Sequence, residues 1–558
     1  MIPCARALLP AIDGKLLARI LAVLTLGSIG GCAAVLGFDD TTLRSGDGGD
    51  LRDGGTEEGG PPGDGGGPRG DGGKSRLTTQ PASIIVRRGA SADLAVELAR
   101  ESDVTGAVTV RLSELPTGVL ATTVTLPPGI TAGSVKITAT ASAALGEKTI
   151  TVNADGTTLV PAVVPLLVAD PAGSLDTTFD ADGLSSDASR GAGSTFFSLA
   201  LQPDAMIVAA GAAGPAPSTL SGWIVRRYTA SGAADAAFTT TTSGAAVLPA
   251  NGEARAVAID KQGNIVCAGF SQAAPAQQLT VVRLLPTGAL DTTFGGGVVR
   301  VAAEVPASAS FAYGLAVQTD GAVVVVGSRR ELVSGVESGI IIRFKENGAR
   351  DATFNGGATV VTPNARFVGV AVDAAGILVG GSTVGTPLPS YFATRRTAVG
   401  AVDATFGSGG TASFGNTYRA NGFARLADGS VALVGDVTQG AAGYTAGVAT
   451  AKGSAVFARA YANATGAGFF GIGVQADGRI IAAGHTAVNN GEARLERILS
   501  DGNKDATFGV AGTAILEPAG TPNGFDVTLF SAAVQVDGRI LAAGNRSNAG
   551  ASVYRLWP

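Results

Sequence analysis

The sequence predicts an all-β chain in which a small β-sandwich precedes a seven-bladed β-propeller. Three observations carry that expectation. A turn element, G-x-x-D-x-x-F, recurs through the last two thirds of the 558 residues. An apolar hairpin accompanies each copy, and residues 75–169 alternate polar and apolar in short runs with no helical periodicity. The formal net charge of −5, with no run of Lys or Arg, argues against a nucleic-acid partner.

Residues 1–31 read as a targeting segment. Arg6, Lys15 and Arg19 supply a basic region, and "ILAVLTLGSI" at 20–29 is too short to span a bilayer as a helix. The stretch "SIGGC" resembles the lipobox of bacterial lipoproteins, with Ile29 in the aliphatic position, Gly30 and Gly31 as the small residues, and Cys32 as the residue that would be lipidated. That resemblance implies a lipoprotein signal peptide, a place in the cell envelope at the outer membrane, and membrane contact through the lipid anchor alone. An ordinary secretory signal beside a chance cysteine is the plainer alternative. Cys4 falls within the signal and Cys267 lies in the apolar run "NIVCAGF", so no disulfide framework is expected.

Residues 32–74 form a Gly/Asp-rich linker with too few apolar side chains to bury a core. Its Asp-Gly pairs raise calcium as a ligand, but the spacing of an EF-hand loop is absent, and a solvated tether is the simpler reading. From 75 to 169, runs such as "SADLAVELA", "SVKITATA" and "EKTITVNA" are broken by Gly and Pro turns, which implies an antiparallel sandwich. The blocks "RRGASADLAVELAR", "GAVTVRLSELPTGV" and "LGEKTITVNADG" resemble bacterial Ig-like domains. The resemblance implies a spacing or adhesive role without chemistry.

The repeats fill residues 170–558. G-x-x-D-x-x-F appears with Asp176 and Phe179, Asp235 and Phe238, Asp291 and Phe294, Asp351 and Phe354, Asp403 and Phe406, and Asp505 and Phe508. A degenerate seventh copy at Gly453 has Val456 and Arg459 in those places. Each unit also carries an inner hairpin, as in "GLAVQTDGAVVVVG", whose Asp-Gly pair suggests a two-residue turn of the primed type. With a third and a fourth short strand, every unit supplies four strands, the pattern of a propeller blade. The Asp is expected to fix the turn between the third and fourth strands by accepting backbone amides, and the Phe to fill the gap between blades. These units resemble the delta-60 repeat family and, more distantly, NHL repeats. By that analogy the first strand, near "SLDTTFDADG", would join the last, "VYRLWP", to close the ring.

Chemistry-bearing residues are sparse. His485 is the one histidine, so neither a His cluster nor a Ser-His-Asp triad with a spare is available, and no metal or other cofactor is expected. "GAGFFG" matches G-x-G-x-x-G but leads into a strand rather than a helix, and "DADG" at 180–183 sits where a turn is expected anyway. The Asp-Gly and G-x-x-D turns are uniform and share one face of the disc. The loops of the other face vary: the interval from turn Asp to hairpin Gly runs from 22 residues (Val456 to Gly478) to 33 (Asp505 to Gly538). Constant scaffold with variable loops is how binding surfaces are made. The candidate binding residues there are Arg329, Arg330, Arg366, Tyr418, Arg419, His485 and Arg546. The expectation is a monomeric, surface-anchored binding or adhesion module that recognises a protein or a polysaccharide. The alternative is a propeller enzyme, a lyase or lactonase acting on an extracellular carbohydrate or lactone.

Overall fold

A computed structural model describes residues 75–558 apart from 102, 156, 158, 188–190, 192, 215–221, 239–244, 248–250, 274–275, 303–304, 306, 386–388, 417, 438–442, 450–452, 463–467, 486–491, 517–526 and 548. The targeting segment, the tether and Cys32 lie outside the described residues. Those described fall into two compact units, 75–170 and 171–558. Their regular structure is strand, with two single-turn 3-10 segments at Gly295–Gly297 and Asn355–Gly357. Among them no helix is long and apolar enough to cross a membrane.

The first unit is a two-sheet sandwich. One sheet orders Arg76–Gln80, Ser91–Ala99, Ala132–Ala139 and Val119–Ala121; the other orders Ile84–Arg87, Ala162–Ala169, Gly146–Asp155, Val108–Ser113 and Val124–Leu126. Strict alternation explains the packing of Ser91–Ala99: Leu94, Val96 and Leu98 are buried, while Asp93, Ala95 and Glu97 face solvent. They share one core with Val135, Ile137, Val152 and Val164, which come from both sheets.

The second unit contains, among the described residues, seven four-stranded antiparallel sheets. We number them one to seven by their innermost strands: Thr195–Leu201, Gly252–Ile259, Ser308–Val317, Ala365–Asp373, Tyr418–Arg425, Gly468–Val474 and Val527–Val534. Each innermost strand packs on the next, and the seventh packs on the first, so the sheets form a closed circuit. The second strands are apolar on both faces because each sheet is covered by a neighbour on either side. Val323, Val324, Val325 and Val326 are all fully buried. Sheet seven is composite: Leu184–Asp187 pairs antiparallel with Gly550–Leu556, with Ser185 opposite Val553.

Six of the seven inner hairpin turns differ from the two-residue expectation; in sheet four Asp373 pairs directly with Gly376 and two residues intervene. Gly321 N–H donates to Gln318 O at 2.9 Å and Gln318 N–H to Ala322 O at 2.8 Å, which encloses three residues, Thr319, Asp320 and Gly321. Only Gly321 has a positive φ, 84°. This is a tight turn followed by a left-handed glycine, and Asp320 favours it by accepting the Ala322 N–H at 2.9 Å through Oδ1.

The G-x-x-D-x-x-F element does more than cap a turn. Asp291 Oδ1 accepts the Thr293 N–H at 3.0 Å and its hydroxyl at 2.6 Å, while Oδ2 accepts Arg283 Nε at 2.7 Å. The Arg283 guanidinium lies 4.9 Å from the centre of the Phe294 ring, and its Nη1 donates to Glu346 O, in the equivalent turn of the next sheet, at 2.7 Å. The same Nε to carboxylate bond joins Arg227 to Asp235, Arg343 to Asp351, Arg395 to Asp403, Arg497 to Asp505 and Arg555 to Asp176, at 2.6 to 2.9 Å. The last of these joins the two ends of the unit. In the degenerate copy Arg459 Nη1 reaches Asn503 Oδ1 at 2.6 Å, and Phe457 supplies the ring. A Cβ at Gly502 would come within 2.7 Å of that ring, as one at Gly232 would come within 2.9 Å of Phe179, so glycine is needed for close approach as well as for positive φ.

Burial pushes the Asp291 carboxyl up, but the Thr293 hydrogen bonds and the Arg283 charge outweigh it and hold it below the usual carboxylate range. Asp291→Ala is therefore expected to cost about 3–5 kcal/mol, the scale for stranding one partner of a buried ion pair, rather than the roughly 1 kcal/mol of a lost cap. Phe294→Ala, with a fully buried ring, is expected to cost about 3–5 kcal/mol. Chemical denaturation of both variants measures this; a loss near 1 kcal/mol for Asp291→Ala would reduce the pair to a cap.

Candidate functional site

All seven innermost strands share one irregularity. Each skips a residue against its second strand, and the skipped residues are Phe197, Arg255, Tyr313, Val368, Asn421, Phe470 and Phe530. A bulged residue leaves the ladder and its side chain is re-aimed. Four of these side chains, from sheets six, seven, one and two, meet one another, while Val368 is buried in a core shared with Tyr391, Phe406 and Phe423. Phe530 touches Phe197 and Phe470 at ring-centre distances of 5.2 and 5.6 Å, and the Arg255 guanidinium sits 4.3 Å over the Phe197 ring. With Ala212, the three phenylalanines make one apolar cluster at sheets six, seven and one.

The other sector is polar and held by ion pairs. Arg255 pairs with Glu253, both buried. Arg366, on sheet four, holds Glu337 of sheet three through Nε at 2.7 Å and Nη2 at 3.0 Å, and its guanidinium lies 5.6 Å from the Tyr313 ring centre. Burial would lower the Arg366 guanidinium, but Tyr313, Glu337 and Asp436 overcome this and hold it above its ordinary value. Burial likewise pushes the Glu337 carboxyl up, and Arg366 brings it below the usual range. Arg419 grips Asp436 at 3.0 and 3.2 Å, and Asp436 also accepts Asn421 Nδ2 at 2.6 Å.

Of the residues singled out from the sequence, the structure brings Arg366 and Arg419 together. They line a cleft of about 130 Å³ with Ser382, Thr383, Val384 and Pro389. Tyr418 stands beside it, half-buried, its ring 5.5 Å from Tyr391. Arg329 lines a separate space of about 20 Å³, room for a water and little more. Arg330 is exposed on the strand opposite Glu337. Arg546 ends the second strand of sheet seven, half-buried, opposite Val527.

His485 ends the second strand of sheet six and stacks on Phe470, ring centres 5.3 Å apart and planes within 9°. Its Nδ1 is buried without a hydrogen-bond partner. Among the described residues no group of three or more His, Cys, Asp or Glu is placed to hold a metal ion. Cys267 is fully buried, and burial pushes its thiol up, away from nucleophilic chemistry.

Sequence reasoning missed the bulged residues and the acidic partners Glu253, Glu337 and Asp436. A signal for the bulges exists: each lies eight residues before the hairpin-turn Gly, or before Ala205 in sheet one, and that column varies among Phe, Arg, Tyr, Val and Asn.

Burial lowers the His485 imidazole to about 4. Since the unfolded chain then binds the extra proton between about pH 6.5 and 4, this group's contribution to stability falls as pH drops through that window. His485→Phe should flatten the melting temperature against pH between 6.5 and 4; an unchanged slope would show that His485 is solvated.

A family model described as "Domain of unknown function (DUF5122) beta-propeller" matches residues 263–294, 318–354 and 475–508. Each match starts at or just before an inner hairpin turn and ends on the Phe of G-x-x-D-x-x-F. No curated protein matches the chain. Among solved structures it is similar to domains 4 and 5 of the S-layer protein SbsC, at 20% identity over 16% of this chain and 44% of that one, TM-score 0.14. A Bacteroides ovatus GH5 xyloglucanase in complex with a XXXG heptasaccharide matches at 14% identity over 24% of this chain and 29% of that one, TM-score 0.13. A Synechocystis apocarotenoid oxygenase mutant matches at 12% identity over 78% of this chain and 95% of that one, TM-score 0.32. The chain thus spans less than half the length of the first two. With three propeller matches, each ending on the turn between the third and fourth strands of a four-stranded sheet, the chain carries β-propeller repeats.

Proposed function

We propose that the chain is a surface-anchored binding protein rather than an enzyme: a lipid on Cys32, a tether, an Ig-like spacer, and a seven-bladed propeller of delta-60 repeats, acting as a monomer. Seven four-stranded sheets in a closed circuit support the blade count. The parallel pairing of Ile84–Arg87 with Ala162–Ala169 in an otherwise antiparallel sandwich supports the Ig-like reading.

The observation that carries the functional reading is the polarised inner surface. One sector is closed by Phe197, Phe470 and Phe530, and the other presents guanidiniums fixed by carboxylates. Fixed charges beside an apolar plug suit recognition of a polar ligand, because the side chains are ordered before it arrives. The partner is an extracellular polysaccharide or protein.

A screen of the full chain against glycans and cell-surface extracts, with and without calcium, tests this. Binding that is lost in Arg366→Ala with Arg419→Ala, in protein whose circular dichroism is unchanged, is the expected result. Loss confined to changes at the Asp-Gly hairpin turns would place the working side on the opposite face, and turnover of a bound sugar or lactone would make the chain an enzyme. For the anchor, Cys32→Ala is expected to move the protein from the membrane to the soluble fraction. Equal incorporation of labelled palmitate by wild type and variant would overturn lipidation at Cys32.

A further inference from the structure

We propose that the cleft between Arg366 and Arg419 takes one carboxylate-bearing sugar residue of a glycan, a uronate-type ring whose carboxylate meets the guanidiniums and whose hydroxyl meets Ser382. This rests on the reading of the polarised inner surface as a binding surface and names the ligand chemistry of one part of it.

Charge comes first. Among the described residues the cleft is lined by two guanidiniums and no carboxylate, since Glu337 and Asp436 hold those groups without lining the space. Arg366 commits Nε and Nη2 to Glu337, and Nη1 takes no part in that pairing. A guanidinium held in this way is a pre-oriented donor, and its planar fork matches a carboxylate.

The second observation is Ser382. It is 1% exposed, it lines the cleft, and its hydroxyl has no hydrogen-bond partner. A buried hydroxyl left unpaired is unfavourable, and a ligand hydroxyl satisfies it as both donor and acceptor. Val384 and Pro389 offer apolar wall for the C–H face of a ring. Size sets the limit: at about 130 Å³ the cleft is well below the roughly 300–1,000 Å³ of pockets that enclose a whole small molecule, so it takes one ring of a longer chain.

Calorimetric titration of the full chain with oligogalacturonate and oligoglucuronate tests this, against their methyl esters, the neutral oligosaccharides, and a short peptide with a free C-terminal carboxylate. The acidic sugars are expected to bind at least tenfold more tightly than their esters. Arg419→Gln, whose wild-type side chain is one-third exposed, should remove most of that preference. Ser382→Ala should weaken the acidic sugar several-fold while leaving the preference over the ester. Equal binding of acid and ester, equal binding of the peptide, or unchanged binding in both variants would each overturn the proposal. Neutral sugars that bind and are lost in Arg419→Gln would overturn the acidic-sugar assignment while sustaining the binding surface; no binding of any sugar would remove both.

Discussion

Six of the seven sheets are clasped to a neighbour by one contact, an arginine held between an aspartate and a phenylalanine. Arg283 makes three attachments at once: the Asp291 carboxylate, the Phe294 ring, and the carbonyl of Glu346 in the next sheet. A guanidinium can do this because its donors form a fixed plane that accepts an aromatic ring on its face while bonding at its edges. The arrangement is costly to break on one side only, since an unpaired buried charge remains. That cost is why the turn recurs with so little variation, and Arg555 with Asp176 uses it to bind the start of the unit to its end.

Committing one face of the ring to these contacts leaves the opposite face to differ. The innermost strands each carry a bulge, so one side chain per sheet is turned out of the ladder. In three neighbouring sheets that side chain is a phenylalanine, and together they close the sector. Elsewhere it is Arg255, Tyr313, Val368 or Asn421, and the carboxylates of this sector come from an innermost strand (Glu253), a third strand (Glu337) and a second strand (Asp436). Buried polar groups of this kind are tolerated only when partnered, and the ion pairs of Arg366 and Arg419 meet that condition. Ser382 does not meet it, and neither does His485 Nδ1.

Much of this was legible in the chain itself. The period of G-x-x-D-x-x-F marks the sheets because a left-handed residue and a carboxylate are required at fixed places in each turn, and few residue types supply either. The alternation in "SADLAVELA" marks a sandwich strand for the same kind of local reason. The arginine of the clasp was less visible. In five of the six clasps it lies eight residues before its aspartate, and an arginine in a strand signals nothing until the ring beneath it is known. The turn type of the inner hairpin also escaped, since Asp-Gly suits both two- and three-residue loops, and the number of positive φ values decides between them.

Neighbours along the chain are enough to specify an all-β chain, the repeat, the turns and the apolar hairpins, all governed by backbone sterics and short-range hydrogen bonds. What depends on closing the circuit comes from packing alone. Glu337 reaches Arg366 from another sheet, and Phe197 meets Phe530 across the junction between the first sheet and the last. Those contacts join residues whose separation along the chain carries no pattern, because the geometry that unites them comes from packing sheet on sheet and not from any local preference of the backbone.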